Sequence, residues 1–387
     1  MKGMKDLEKM EGPWVESERF RELLKGQDLS SYERLLAERY HTDGFVIVDD
    51  ADLTADIDIA NMWENIAQLC EEKRAIGDVN RAQDAWKSCR PVYEIATHPA
   101  ILRLLRILYG REPRPFQTLN FVRGTEQETH SDTIHFSAKP ARYMCGVWMA
   151  LEDITLKQGP LHYYVGSHKL PELDYEDLGI PPIGGDQSWS NPITRLRYEL
   201  YEKEISALAR EAGFQRRELA VKKGSYLIWA SNLLHGGNPR EDSSFTRKSQ
   251  VTHYYFDDTI RYTPMFSRKS RGLYAARFIN DMTNGRPLPD RLSDKPVVWL
   301  PRQRWHTYIP IDSHESQTLS RQYLERYPDV RSSSYGTNDL AFAHFSRHGA
   351  IENRQLFAFG TRASAEQWRS WLLGKASRLK EVLSLGQ

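Results

Sequence analysis

Four residues of this 387-residue chain have types and spacing suited to metal chemistry: His130, Asp132, His235 and Arg247. On an extended strand, positions i and i+2 face the same way, so Thr129-His130-Ser131-Asp132 offers an imidazole and a carboxylate to one ion. His235 follows the apolar run Tyr226-Leu227-Ile228-Trp229 and opens the turn HGGNP. Two histidines and one carboxylate on one face form the set that holds non-haem iron(II) and leaves positions open for a cosubstrate and dioxygen. Arg247 comes twelve residues after His235, beyond a turn rich in Asn, Pro, Asp and Ser. A strand returning from that turn would bring its guanidinium beside the metal, where it could grip a dicarboxylic acid through two parallel hydrogen bonds. Taken singly, each signal has a plain alternative. An HxD arises by chance on edge strands, and an arginine in a charged loop is ordinarily solvated.

The elements that must position these residues are legible from periodicity. Residues 17–40 carry Leu and Phe at helical spacing and break at His41-Thr42-Asp43-Gly44; Phe45-Val46-Ile47-Val48 then reads as a short strand. Helices are expected over about 57–73 and from His98-Pro99 to Gly110. From 116 to about 256 the texture changes to short β-type runs between Gly, Pro and Asn turns: FQTLNFV, RYMCGVWMALEDI, LHYYV, GSYLIWA and SQVTHYYF. An insert over about 168–220, first PPIGGDQSWSNP and then a helical stretch, interrupts the strands and reads as a lid or pocket wall. After Phe256 the chain looks loop-rich to about Tyr308, with a helical tail ending in SAEQWRSWLLGKASRLKEVLSL. The expected plan is an oxygenase-type domain over 1–305 and a helical C-terminal module over 306–387.

Bulk properties narrow the partners. With 53 Lys and Arg against 52 Asp and Glu, no net field draws the chain to nucleic acid or to anionic membrane. Cys70, Cys89 and Cys145 are sparse and odd in number, which suits reduced thiols rather than a disulfide frame or a zinc site. The charged N-terminal stretch lacks the apolar core of a signal peptide, and no apolar run approaches a membrane span. A cytoplasmic protein is expected.

The motif order HSD, WMALEDITLKQGPLHYYVGSHK, VKKGSYLIWASNLLHGG and FTRKSQVTHYYF resembles the phytanoyl-CoA dioxygenase family over about residues 35–256. HTDGFVIV and THPAILRLLRILYG also look like that family's N-terminal elements. The resemblance implies a mainly β fold, a double-stranded β-helix (jelly roll, cupin-like) with flanking helices, enclosing iron(II) and 2-oxoglutarate. It puts His130, Asp132 and His235 on the metal and catalytic positions, Arg247 on the far carboxylate of 2-oxoglutarate, and Trp148 on the wall of the cosubstrate pocket. Gly237 stands where some members carry a serine that helps hold 2-oxoglutarate; Gln117, Asn120 and Thr129 are unranked candidates to replace it. His135, just past the HxD, is the candidate for substrate contact. Val165-Gly166-Ser167-His168 and Gly224-Ser225 depart from the family pattern only at turns.

The implied activity is hydroxylation of an unactivated C–H of a small molecule by dioxygen, with release of succinate and carbon dioxide. Halogenases of this kind carry a small residue in place of the carboxylate, so Asp132 favours hydroxylation. Desaturation, cyclisation or epimerisation by the same cofactors stays open, as does a non-catalytic jelly-roll binding protein. The segment YLERYPDVRSSSYGTNDLAFAHFSRHGAIENR resembles a helical motif found beside bacterial surface-polysaccharide enzymes. The substrate class is therefore left as lipid-derived, natural-product or carbohydrate-linked, and the oligomeric state is left open.

Overall fold

In the computed structural model of the chain, residues 12–74, 81–180, 192–242, 244–267 and 273–288 are described, with short pieces (290–292, 295–297, 307–310, 321, 324–325 and 327–334) beyond them. Helices lead. The helical stretch read over about 17–40 forms two helices, α1 (Phe20–Lys25) and α2 (Ser31–Asp43). Ser30 restarts the chain through a capping box: its hydroxyl accepts from Glu33 N, and the Glu33 carboxylate accepts from Ser30 N. Strand β1 (Phe45–Val48), α3 (Ile59–Arg74), β2 (Arg81–Gln83) and α4 (Arg90–Ala96) follow. Helix α5 (Pro99–Tyr109) starts on a proline and stops at Gly110, whose φ of 70° favours glycine.

The strands of the core are β3 (Pro113–Phe121), β4 (Ser137–Lys139), β5 (Met144–Ala150) and β6 (Leu161–Tyr164). After helix α6 (Pro192–Glu211) come β7 (Arg216–Glu218), β8 (Tyr226–Ala230), β9 (His235–Gly237) and β10 (Ser249–Phe256). One antiparallel sheet has the order β1-β8-β5-β10-β3-β2, and a second is β7-β6-β9, extended by a bridge between His130 and His235. Trp229 on β8 and His235 on β9 lie ring to ring at 5.1 Å, so the two sheets face each other across the site. The fold is mainly β, with the double-stranded β-helix as its core.

Alternation along each strand divides the large sheet into two faces. Val46, Val48, Val147, Met149 and Ile228 point outward and pack with Leu36, Tyr40, Ile66, Leu104 and Leu108 of the helices. Phe45, Phe121, Trp148, Leu227, Trp229 and Val251 point inward. All three cysteines are free and buried, matching the reading as thiols. No described helix is long and apolar enough to cross a membrane.

Two expectations need correction. The stretch after Phe256 is not merely loop. It contains β11 (Ile260–Tyr262), β12 (Leu273–Ala276), β13 (Asp290–Leu292), β14 (Lys295–Val297) and β15 (Thr307–Pro310), and β15-β12-β11-β4 form a further sheet. Short strands such as IRY and LYAA carry no run of apolar residues as marked as FVIV or LHYYV. The insert over 168–220 also rejoins the sheet before its end, because β7 pairs with β6. Its helix forms as expected, and Tyr198, Tyr201 and Ile205 pack with Tyr164, Tyr175 and Leu234. The Pro/Gly-rich piece at 181–191 lies outside the described residues.

By contacts the chain divides into two units, 1–181 with 196–311, and 182–195 with 312–387. In the tail the described residues include the helical turn α7 (Pro328–Arg331), with Val330 buried. The terminal amphipathic segment and most of the expected module over 306–387 lie outside the described residues.

Candidate metal centre

His130 and His235 are partners across a β rung: the N–H of each donates to the carbonyl of the other, at 2.9 and 3.0 Å. Residues paired this way send their side chains to the same face, and the two rings sit 4.5 Å apart. Each ring donates its Nδ1 proton to a backbone carbonyl at 2.9 Å, His130 to Glu128 and His235 to Leu233. That commitment leaves Nε2 of each imidazole as the bare lone pair. Asp132 Oδ1 lies 3.8 Å from His130 Nε2 and 3.9 Å from His235 Nε2. The three ligand atoms fall within 4.8 Å of one another, and all three residues are buried.

Asp132 does not sit on a strand, as the spacing suggests, but heads a 3-10 turn over Asp132–Ile134. Ser131 is still extended, at φ −116° and ψ 140°, and its hydroxyl accepts from Thr133 N to cap the turn. The i, i+2 alternation therefore holds for the one step that matters.

The surroundings keep His130 and Asp132 in their ligating forms. Burial, reinforced by the neighbouring His235, pushes His130 down to about 3, against the pull of Asp132. For Asp132, burial opposes ionisation, yet His235, His253 and His130 together hold the carboxyl well below the usual carboxylate range. Its other oxygen, Oδ2, accepts a hydrogen bond from Trp229 Nε1 at 2.7 Å. His253 Nε2 stands 3.7 Å from the same oxygen, with Nδ1 held by Gln117 Oε1 at 3.2 Å. Two imidazoles and one carboxylate fit a divalent first-row metal, iron(II) included.

Arg247 is 2% exposed. A terminal nitrogen donates to Gly159 O, while Nε has no hydrogen-bond partner and no carboxylate pairs with the guanidinium among the described residues. Burial, together with Arg240, pushes it down to about 10, with Glu126 opposing. Gly124 makes the room: a Cβ there would lie 2.7 Å from Arg247 Cζ, while one on Gly237 would stand at ordinary contact distance, 3.6 Å from Nη1. Gly237 is two residues beyond His235 on β9, a rise of ~7 Å. A buried cation lacking an anion at that range fits the far carboxylate of a short dicarboxylic acid.

Residues 40–249, over half of the chain, match the family described as Phytanoyl-CoA dioxygenase (PhyH). The chain belongs to the phytanoyl-CoA dioxygenase family. A relative described as a probable phytanoyl-CoA dioxygenase of Caenorhabditis elegans is 26% identical over 181 residues, 44% of this chain and 53% of that protein. Phytanoyl-CoA dioxygenase domain-containing protein 1 of Mus musculus is 25% identical over 127 residues, 30% of this chain and 44% of that protein. The chain thus spans about half the length of the curated relatives it matches. Among solved structures, the epimerase SnoN in complex with Fe3+, alpha ketoglutarate and nogalamycin RO aligns at 20% identity and TM-score 0.42, over 59% of this chain and 86% of that one. EctD from S. alaskensis with bound Fe aligns at 18% and TM-score 0.41, over 59% and 77%.

The remaining candidates drawn from the family pattern divide by the face they occupy. Trp148 is 1% exposed on the inner face, between Leu227 and Val251 in register. Gln117 is also on the inner face, opposite His253. Asn120 is not: it lies on the outer face, where its amide donates to Gln250 Oε1 at 3.0 Å and Gln250 continues to Val92 O. Thr129 lies in a bend just before His130, and its hydroxyl meets His162 Nε2 at 2.9 Å. Neither is brought to the metal ligands. The His135 ring packs 4.9 Å from Tyr198 of α6, and burial pushes it down to about 4.

Sequence reasoning missed Trp229, Gly124 and Gly159. Alternation through Tyr226–Ala230 puts Leu227 and Trp229 on one face, so Trp229 was within reach of a period-two reading. The glycines carry no such signal, because only the folded chain shows what a Cβ would strike.

Proposed function

We propose that this protein is an iron(II)- and 2-oxoglutarate-dependent oxygenase that hydroxylates an unactivated C–H of a small molecule, releasing succinate and carbon dioxide. The observation that carries this reading is the convergence of two committed imidazole Nε2 atoms and Asp132 Oδ1 beside a buried guanidinium without an anion. His130, Asp132 and His235 would hold the metal. Arg247 would hold the far carboxylate of 2-oxoglutarate, with Trp148 and Gln117 on the same inner face as walls. When bound, the iron and its cosubstrate supply the oxidising power for the C–H.

The chain's own part is orientation and exclusion of water. Trp229 and the Glu128 and Leu233 carbonyls hold the three ligands in fixed rotamers. Gly124 leaves the space that the Arg247 guanidinium fills, which would set the reach and register of a dicarboxylate. Helix α6 supports the reading of 168–220 as a cover. Gln127, three residues before His130, donates to Tyr198 OH at 2.9 Å and to Glu202 Oε1 at 3.3 Å.

The test is anaerobic titration of the iron(II)-loaded protein with 2-oxoglutarate, following the weak visible metal-to-ligand charge-transfer band. The band should form, vanish in His130→Ala and weaken in Arg247→Ala. Bound iron with no band on addition of 2-oxoglutarate would overturn the assignment.

A further inference from the structure

A second arginine lies on the other side of the metal ligands from Arg247. Along β10, residues 251, 253 and 255 share a face, His253 marks the level of Asp132, and Arg247 lies two residues before the strand begins. Arg247 is six residues before that level. Tyr255 is two residues after it, and its ring stacks on Phe116 at 4.5 Å. Phe116 is the extra residue of a β-bulge: His253 pairs with Gln117 and Tyr254 with Pro115, so Phe116 has no partner in the register. Bulges beside sites re-aim side chains, and this one turns Phe116 inward with Gln117. Phe136 closes the same wall. It sits one turn after Asp132, donating its N–H to Asp132 O at 2.9 Å, with its ring 4.8 Å from His253 and 5.4 Å from Phe116.

Arg277 lies over these rings, its Cζ 4.5 Å from the centroid of Phe136 and 5.6 Å from that of Phe116. The aromatic faces hold a cation but accept none of its in-plane N–H bonds. Arg277 Nε is shut off from solvent with no hydrogen-bond partner, and the side chain forms no ion pair among the described residues. Burial holds the group below the usual arginine range, and the nearest compensation, from Tyr255 and Asp84, offsets that only in part. Asp84 is itself occupied, accepting from Thr118 N at 3.3 Å and pairing with Lys87 at 3.5 Å. An arginine on an aromatic wall, half-buried as a residue but with its Nε enclosed and unbonded, can turn that N–H and the neighbouring terminal N–H to a planar two-oxygen anion.

We propose that Arg277 binds a carboxylate on the substrate, so that the hydroxylated molecule is a small carboxylic acid held between Arg277 and the metal, with its carbon frame against Phe116 and Phe136. This rests on the oxygenase reading above and names the substrate class of that site. The Nε–H and the adjacent terminal N–H meet the two carboxylate oxygens side by side. The flat aromatic flanks take the apolar part, and the distance from the acid to the metal selects which carbon is presented.

The experiment is calorimetric titration, under anaerobic conditions, of the protein loaded with iron(II) and 2-oxoglutarate, using benzoate, benzamide and phenyl phosphate as probes. Benzoate should bind, benzamide about tenfold more weakly or less, and phenyl phosphate no better than benzoate. Arg277→Met should lose benzoate binding by at least about tenfold, and Arg277→Lys should restore part of it, since charge survives while the planar edge does not. In both variants the charge-transfer titration with 2-oxoglutarate should match the parent chain, which separates this proposal from the cosubstrate assignment. Equal binding of benzoate and benzamide, no benzoate binding at concentrations that saturate the site with 2-oxoglutarate, or parent-like benzoate affinity in Arg277→Met would overturn it. A preference for phenyl phosphate would overturn the carboxylate assignment.

Discussion

Trp229 Nε1 donates to Asp132 Oδ2 at 2.7 Å, tying the one carboxylate of the ligand set to the opposite sheet. Asp132 comes from a 3-10 turn, which by itself leaves its side chain free to rotate; the indole removes that freedom. Replacing Trp229 with Phe keeps most of the ring volume and deletes the donor. Iron(II) affinity should fall about 10- to 100-fold, with the fold retained. Metal titration together with circular dichroism decides this, and an unchanged affinity would show that the bond does not position the ligand.

Arg247 invites a test that leaves the arginine itself intact. A Cβ on Gly124 would lie 2.7 Å from its Cζ and 2.9 Å from Nε. Gly124→Ala should therefore displace the guanidinium by a fraction of an ångström to an ångström. The midpoint of the 2-oxoglutarate titration should rise about tenfold or more while iron affinity holds. A parent-like midpoint would place the dicarboxylate elsewhere.

His168, in the turn after β6, provides a pH test at a residue outside the metal ligand set. It is 1% exposed, bonded through Nε2 to His41 O at 3.2 Å. Burial, with Lys169 and Arg142 adding to it, pushes the ring down to about 3 despite that bond. Since a histidine in the unfolded chain titrates near ~6.5, the unfolded state binds the proton more readily between those values. Stability is thus complete above ~6.5 and is lost as pH falls toward 3, by up to about 1.4 kcal/mol per unit for this one group. His168→Gln should flatten the slope of unfolding free energy against pH between 6.5 and 4. If the slope is unaltered, the histidine is not the proton acceptor.

Gln127 links the cover helix to the ligand segment through Tyr198 and Glu202. Gln127→Ala should speed amide hydrogen exchange over 196–211 and leave exchange in β5, β8 and β10 unchanged. Equal acceleration throughout would mean that the glutamine stabilises the fold as a whole and not the cover in particular.

The legible parts of this molecule are those that rest on long periods or on ordered motifs. The five strand runs between 116 and about 256 and the helix capped by Gly110 show their pattern, and all form. His130, Asp132 and His235 converge because one extended step and one β rung suffice to do it. Asn120 illustrates the limit: it sits one residue from positions on the opposite face, and a sequence carries no absolute phase for a strand until its partners are known. Phe116 makes the same point in reverse, since a bulge shifts the phase within one strand. The small sheet around β11 and β12 was hidden because its three- and four-residue strands, IRY and LYAA, carry no run of apolar residues as marked as FVIV or LHYYV.

The rung between His130 and His235 has a consequence for how the protein is assembled. Its two halves come from distant parts of the chain, so the ligand pair does not exist in any locally folded fragment. Slipping β9 by one residue would swing His235 out of the cavity and present Gly236 in its place. A bound ion would therefore act as a proofreader of strand register, favouring only those chains whose small sheet has zipped correctly. Chains produced under metal starvation should contain more misregistered sheet than chains produced with metal in excess.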